Sequence, residues 1–326
     1  MKIDCQSHVM PEAYIEVFAK NPQSPTMQKE SNNTLVILVN GRPVIRNDLA
    51  AYDIAKKIKD MDGFGIDMSI ISPNIPGPCM LAPELALKGA RILNDYVAEA
   101  IQLHPDRLAG IACLPWQNTE EALAEMDRAA DQLKLCGVML FSNIDGQPVD
   151  EPQFEPIFAQ AEAKGLPIVI HPTFPSWGAA IRDYMMIPMM GFQVDSSFAL
   201  LRLILSGMLE RHPRLKIVMP HVGGVLPYMI GRIDYQTEKM GRKPEHIIDA
   251  PSEYLKRVYF DTCSPSAPAI KFAIDFIGAQ RTLFGSDHPW VDPQMFIDII
   301  NGLDISEPDK AVIFSQNAQQ LFKLGS

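Results

Sequence analysis

Eight short apolar segments, each followed by a loop and then by a stretch with helical periodicity, run through the 326 residues of the chain. Repeated strand–helix units of this spacing predict a parallel sheet. Eight such units most simply close into a (β/α)8 TIM barrel. An open doubly wound sheet is the alternative, but its usual G-x-G-x-x-G loop after the first strand is missing. The predicted strands span residues 2–5, 68–72, 108–114, 137–141, 167–171, 216–221, 258–262 and 282–286.

One segment, residues 11–56, does not fit the repeat, because prolines and Asn-rich turn signals surround a single strand-like run at 35–39. We interpret it as a small cap insertion after strand 1 that folds over the barrel mouth as a hairpin. We therefore expect residues 1–326 to form a single domain with this cap. The predicted helices span residues 82–103, 119–135, 151–164, 196–211, 225–239 and 267–278.

Composition excludes some classes of partner. The formal net charge of -10 and the absence of any Lys/Arg-rich run argue against a nucleic-acid partner, which needs a concentrated basic face. The N-terminus is charged within two residues and no apolar run is long enough for a membrane span, so we expect neither a signal peptide nor a membrane partner. Five widely spaced cysteines without a CxxC pair indicate free thiols and a cytoplasmic protein.

Polar residues stand at the ends of four predicted strands. The first strand leads into Gln6-Ser7-His8, the fifth ends on His171, the sixth on His221 and the eighth on Asp287. Each strand-end histidine alone is more often a hydrogen-bonded packing residue, but in a barrel all four positions converge on the mouth where active sites lie. Three imidazoles and a carboxylate suit Zn²⁺, Mn²⁺ or a similar divalent ion.

The other histidines differ in placement. His104 and His212 each precede a proline directly after a helical segment, and His246 lies in a polar loop, so we interpret them as structural or exposed. His288 follows Asp287 and is a candidate for holding the carboxylate or the metal ligands in orientation.

Several long segments, in the same order, resemble those of the amidohydrolase superfamily, in the branch similar to aminocarboxymuconate-semialdehyde decarboxylase. The resemblance covers nearly the whole chain. It rests on MKIDCQSH, MDGFGID, IVIHP, LRLILSGMLERHPRLKIVMPHVGG, YMIGRID, PSEYLKRVYFDT and LFGSDHPW.

This resemblance implies that His8, His171 and Asp287 bind one divalent metal ion, Zn²⁺ first and Mn²⁺ second, and that His221 and Asp287 handle protons. One position departs from the family, whose first-strand motif is usually His-x-His, because Gln6 stands where the first histidine is expected. Gln6 and His8 share a face of the strand, so the Gln6 amide oxygen is a candidate fourth ligand, although a poorer donor than imidazole.

The family also implies how a carboxylate substrate is recognised. An arginine from the cap contacts the substrate, and Arg46 fits that position better than Arg42, although either could be a solvated surface charge. Arg232 in YMIGRID matches an arginine that reaches the neighbouring subunit's site, which implies a homodimer or a higher homo-oligomer. Apolar walls for a planar ring are expected from Phe174, Trp177 and Tyr184.

The leading function is metal-dependent, nonoxidative decarboxylation of a small aromatic (hydroxylated) or dienoic carboxylic acid, which makes the chain a carbon–carbon lyase of aromatic catabolism. The first alternative is a metal-dependent hydrolase or hydratase acting on a carbon–carbon, lactone or amide bond in the same barrel site. A metal-free binding protein is a further alternative.

Overall fold

The strands form where the chain is apolar and rich in Val, Ile and Leu, because parallel strands in such folds are covered on both faces. The computed structural model describes residues 1–325. Within that range the strands are β1 (Ile3–Val9), β2 (Thr26–Lys29), β3 (Thr34–Val39), β4 (Arg42–Asp48), β5 (Met68–Pro73), β6 (Leu108–Ala112), β7 (Gly137–Phe141), β8 (Ile168–His171), β9 (Ile217–Met219), β10 (Tyr259–Asp261) and β11 (Thr282–Leu283).

The helices that separate these strands begin mainly at side-chain caps or prolines. Asp53, for example, accepts a hydrogen bond from the backbone of Lys56. Their bounds are α1 (Glu12–Phe18), α2 (Ile54–Phe64), α3 (Pro83–Leu103), α4 (Thr119–Asp127), α5 (Glu155–Lys164), α6 (Phe192–Leu205), α7 (Met208–Arg211), α8 (Leu226–Asp234), α9 (Pro251–Leu255), α10 (Ala267–Ile277), α11 (Pro293–Gly302), α12 (Glu307–Ala311) and α13 (Asn317–Phe322).

Eight strands form one parallel sheet in the order β1-β5-β6-β7-β8-β9-β10-β11. Backbone hydrogen bonds join the two edges of this sheet: Cys5 donates to Phe284, Asp287 to Gln6 and His8 to His288, at 2.7–2.9 Å. The sheet therefore closes on itself with helices around it, and the predicted (β/α)8 TIM barrel is confirmed.

Each predicted barrel strand corresponds to an observed one, and the fourth, Gly137–Phe141, has the predicted bounds. The last three strands are shorter than predicted: β9 ends at Met219, β10 at Asp261 and β11 at Leu283. The residues beyond β9 and β11 leave the extended conformation, which places His221 and Asp287 in loops at the barrel mouth.

The cap holds more structure than one strand. Three antiparallel strands, β2, β3 and β4, form a separate sheet within residues 11–56. The Asn40-Gly41 pair joins β3 to β4 with φ angles of 51° and 73°, the positive values that tight hairpin turns require. The Tyr52 hydroxyl accepts hydrogen bonds from Asn47 of the cap and Asn74 of the barrel mouth, so the cap is anchored there.

The core lies between the helices and the barrel wall. On α3 the buried residues Ala86, Ala90, Leu93 and Val97 recur every three or four positions, which is the spacing of one helix face. All five cysteines are free, as predicted, and four of them are fully buried. Among residues 1–325, no helix is both long and apolar enough to cross a membrane.

Candidate metal centre and active site

The four polar strand-end residues meet at one end of the barrel. His8 lies on β1 and His171 is the last residue of β8, whereas His221 and Asp287 follow β9 and β11. Since parallel strands all present their carboxyl ends at the same mouth, the fold brings together residues far apart in sequence.

The ligand-type atoms of these residues converge. His8 Nε2 lies 3.0 Å from Asp287 Oδ1 and 3.4 Å from His171 Nε2. The candidate ligand atoms of His8, His171 and Asp287 all lie within 4.8 Å of one another. Two imidazole nitrogens and a carboxylate oxygen facing a common point form a donor set that suits a divalent cation.

The outer nitrogens of the two histidines fix how the rings face this point. His171 Nδ1 lies 2.7 Å from the carbonyl oxygen of Pro172, which can only accept, so Nδ1 carries the proton and the Nε2 lone pair faces the cluster. His8 Nδ1 lies 3.1 Å from Ser72 Oγ. Such partners on the outer nitrogen are typical of metal-binding histidines.

A second group, His221, Cys263 and Asp287, also lies within 4.8 Å. Burial raises the pKa of the Cys263 thiol well above its usual value, which keeps it protonated and makes it a poor ligand. We therefore place the candidate metal site at the His8 group.

Burial and neighbouring charges perturb the titration of the site. Burial, together with the charge of His8, lowers the pKa of His171 to about 3, which keeps this imidazole neutral. Burial alone would raise the pKa of Asp287, but His221 and His8 bring it below its usual range, so the carboxylate is ionised. Burial alone would lower the pKa of His221, but the neighbouring Asp287 carboxylate outweighs burial and raises it above its usual value.

The backbone at both loop residues is left-handed, which costs energy for residues other than glycine. The φ angles are 54° at His221 and 60° at Asp287. Val222, Gly223 and Gly224, which follow His221, also have positive φ angles, and a Cβ at Gly224 would lie 2.4 Å from Ser197 Oγ. Residues held in such conformations concentrate at functional sites.

The structure places Gln6 beside the same cluster. A register shift between Asp4 and Ser7 in β1 marks a bulge, a feature that re-aims side chains. The Gln6 amide nitrogen lies 3.5 Å from Asp287 Oδ1, and its buried Oε1 finds no hydrogen-bond partner within residues 1–325. A buried carbonyl oxygen without a donor is costly, and a cation beside it would remove that cost. The residues present therefore fit a metal ion.

A cavity of about 360 Å³ opens above the cluster and includes His171, His221 and Asp287 in its lining. This volume lies in the range of small-molecule sites, which combine apolar walls with a few polar groups. Its apolar walls come from Val44, Ile45, Ile75, Met185, Phe192 and Trp290.

The predicted apolar wall of Phe174, Trp177 and Tyr184 needs correction, because none of the three lines this cavity. Phe174 is buried and faces a neighbouring cavity of about 480 Å³. The Trp177 indole donates a hydrogen bond to Asp195, and Tyr184 is 87% exposed. The loop after β8 turns these rings away and presents Met185 instead, a change in direction that sequence alone does not reveal.

The candidate arginines take different positions. Arg46 of β4 lines the cavity, although its guanidinium donates to Glu30 at 2.7 Å, whereas Arg42 lines the neighbouring cavity. Arg232 lies exposed on α8 and forms no ion pair with any described residue. An ion pair with Asp234 would give Arg232 a purely structural role, but the Asp234 carboxylate instead accepts a hydrogen bond from the backbone N–H of Ser252.

His288 does not face the ligand cluster directly. Its Nδ1 lies 2.9 Å from the ammonium of Lys57, and its Nε2 lies 3.1 Å from Asp60. Sequence reasoning missed Lys57. The only sequence signal for it is that this lysine shares the buried face of α2 with Met61. Sequence reasoning also missed Asp261, which accepts the backbone N–H of His221 at 2.7 Å and could have been found as a polar strand end.

Comparison with known proteins agrees with this geometry. The family model described as amidohydrolase matches residues 3–324, so the chain belongs to the amidohydrolase family. A gamma-resorcylate decarboxylase of Rhizobium sp. (strain MTP-10005) is 32% identical, over 82% of this chain and 86% of that protein. The predicted family and the class of carboxy-lyase are thereby confirmed.

Solved structures lead to the same branch. The structure of 5-carboxyvanillate decarboxylase from Sphingomonas paucimobilis has a TM-score of 0.88 and 28% identity, covering 99% of this chain and 98% of that one. A dihydroxybenzoic acid decarboxylase from Polaromonas, solved with manganese and 2-nitroresorcinol, has a TM-score of 0.81 and 26% identity, covering 100% and 97%.

Proposed function

We propose that this chain is a metal-dependent, nonoxidative decarboxylase of a small hydroxylated aromatic carboxylic acid. One observation carries the proposal: His8, His171 and Asp287 converge beside His221 at the floor of a mainly apolar cavity large enough for a substituted ring. The relatives named decarboxylases support the reaction class.

His8, His171 and Asp287 would hold the ion, with the Gln6 oxygen as a fourth ligand. Two oxygen donors make this set harder than an all-histidine site, which favours Mn²⁺ over the Zn²⁺ expected first. The manganese in the Polaromonas relative supports this choice. A bound ion would supply a Lewis acid that stabilises the negative charge of a carboxylate substrate.

The reaction needs an acid close to the ring, because the electron pair left by departing CO₂ must have somewhere to go. In our proposal the pair of Asp287 and His221, whose Oδ2 and Nε2 lie 3.9 Å apart, delivers a proton to the ring carbon that carries the carboxylate. The carbon–carbon bond then breaks, its electrons restore the aromatic ring, and CO₂ leaves. Solvent returns the proton to the pair.

Arg46 is the proposed cationic contact for the substrate. It lines the cavity and lies on the cap strand β4, opposite the barrel floor. On binding, the substrate carboxylate would replace Glu30 as the ion-pair partner of the Arg46 guanidinium.

Arg232 is proposed to act across a homodimer. It is exposed, has no ion-pair partner among the described residues, and shares an α8 face with the exposed ring of Tyr228. A solvent-facing arginine beside an aromatic ring is typical of interface residues.

The experiment that tests this function is incubation of the manganese-loaded protein with hydroxylated benzoates, while CO₂ and dissolved oxygen are followed together. We expect CO₂ release without oxygen uptake, and about a thousandfold or greater loss of turnover in Asp287→Asn, as expected for removal of a proton-transfer group. A hydrolysis or hydration product without CO₂ would contradict the proposal. So would an Asp287→Asn variant with near-normal kcat.

A further inference from the structure

Lys57 is a buried charge for which the proposed reaction has no use. Its side chain is 0% exposed and projects from α2 toward the seam where β11 meets β1. Its ammonium donates to Ser7 Oγ at 2.7 Å and lies 2.9 Å from His288 Nδ1.

The two contacts of Lys57 are the direct chain neighbours of two candidate metal ligands. Ser7 precedes His8 on β1, and His288 follows Asp287 after β11. Lys57 therefore links Ser7, which precedes His8, to His288, which follows Asp287. His8 Nε2 and Asp287 Oδ1 lie 3.0 Å apart at the same seam.

Backbone hydrogen bonds from Asp287 N–H to Gln6 and from Trp290 N–H to the Asp287 carbonyl oxygen fix part of this seam, and contacts of the residues on either side of Asp287 add to them. The regular strand β11 ends at Leu283, and Asp287 has a φ of 60°, outside the extended region. Ser286, on its other side, is held by the buried carboxylate of Asp4, which accepts from both its backbone N–H and its hydroxyl. Both chain neighbours of Asp287 are therefore held by buried side chains: Ser286 by Asp4, and His288 by Lys57.

The Lys57 contact also determines the state of His288. Because an ammonium only donates, Nδ1 of His288 accepts, and Nε2 carries the proton that reaches Asp60 at 3.1 Å. The backbone carbonyl of the same residue accepts the N–H of His8 at 2.7 Å. The neutral His288 ring therefore connects Lys57 and Asp60 of α2 to the seam.

Burial of this ammonium is costly. Burial lowers the pKa of Lys57 to about 8, and no carboxylate touches its nitrogen within residues 1–325. An apolar side chain of similar length commonly serves stability as well as a buried charge does. The charge therefore points to a role beyond packing.

We propose that Lys57 is a positioning residue for the metal centre, because its bridge between Ser7 and His288 holds His8 and Asp287 at the separation that a divalent ion requires. The inference rests on the metal site proposed above. It concerns the affinity of that site and not the chemical step.

The test is titration of Mn²⁺ into chelator-stripped protein by calorimetry, with the melting temperature of the metal-free protein measured alongside. Lys57→Met should raise the Kd for Mn²⁺ roughly ten- to a hundredfold, as loss of outer partners of metal ligands does. Lys59→Met, the matched control, changes an exposed lysine on the same helix and should leave the Kd within about twofold, since it touches neither ligand neighbour.

A Kd for Lys57→Met within twofold of the parent value, even with a lower melting temperature, would overturn the inference and leave Lys57 a purely structural residue. If that variant does not fold, Ser7→Ala decides the question, because it removes only one acceptor of the bridge. It should weaken Mn²⁺ binding in the same direction, and an unchanged Kd would overturn the inference. A parent protein that binds no Mn²⁺ would overturn the metal site as well.

Discussion

Gln6 is the residue at which this chain departs most from the pattern of its family. Strand alternation predicted that Gln6 and His8 face the same side, and the structure brings both to the ligand cluster. The bulge in β1 could not be predicted, because its cause is the pairing with β5 and not a local sequence signal. The partnerless Oε1 is likewise visible only once the neighbours are in place.

The first prediction concerns the Gln6 oxygen. If it is a ligand, Gln6→Ala should raise the Kd for Mn²⁺ by about tenfold, and Gln6→Glu should lower it, because a charged oxygen is a stronger donor than a neutral one. Calorimetric titration of the metal-free variants measures both. Gln193→Ala is a matched control, since its Oε1 is also buried without a partner among the described residues. Equal affinities for the parent and Gln6→Ala would exclude Gln6 as a ligand.

At the scale of the element, the strands were predictable and their ends were not. Apolar runs located all eight barrel strands, because burial on both faces gives a continuous signal. The early ends of β9 and β11 depend on positive φ angles at His221 and Asp287, which hydrophobicity does not encode. In the cap, β2 and β4 were missed since their sequences TMQK and RPVIRND do not show clear alternation.

The cap strand β4 provides the second prediction. Arg46 lines the cavity over the ligand cluster, whereas Arg42 at the start of the strand lines the neighbouring cavity. Arg46→Ala should therefore raise KM about tenfold or more with a smaller change in kcat, since a charge-assisted contact to the substrate carboxylate is lost. Steady-state kinetics measure this, with Arg42→Ala as the control. A KM that rises only in Arg42→Ala would assign the contact to Arg42 instead.

At the scale of the whole molecule, sequence predicted a barrel with a capped mouth, and it predicted the four residues that meet there. It could not predict the cavity wall, because loop direction after β8 decides that Met185 faces inward while Tyr184 faces solvent. The exposed methionines of this loop, Met189 and Met190, leave an apolar surface near the mouth.

The third prediction belongs to the assembly. If two copies share their active sites, Arg232→Ala should raise KM strongly while light scattering still reports a dimer, because a substrate contact is lost and not the interface. Lys239→Ala removes an exposed cation farther along the same helical segment and is the control. An unchanged KM in an intact Arg232→Ala dimer would refute the contact between subunits.

The most direct test of the central claim is the rate of CO₂ release from a hydroxylated benzoate as Mn²⁺ is added to chelator-stripped protein. The proposed site of His8, His171 and Asp287 predicts no activity without metal and a linear rise that saturates at one ion per chain. Asp287→Asn should stay inactive at every metal concentration. Full CO₂ release by the stripped protein, unchanged on adding Mn²⁺, would contradict the account.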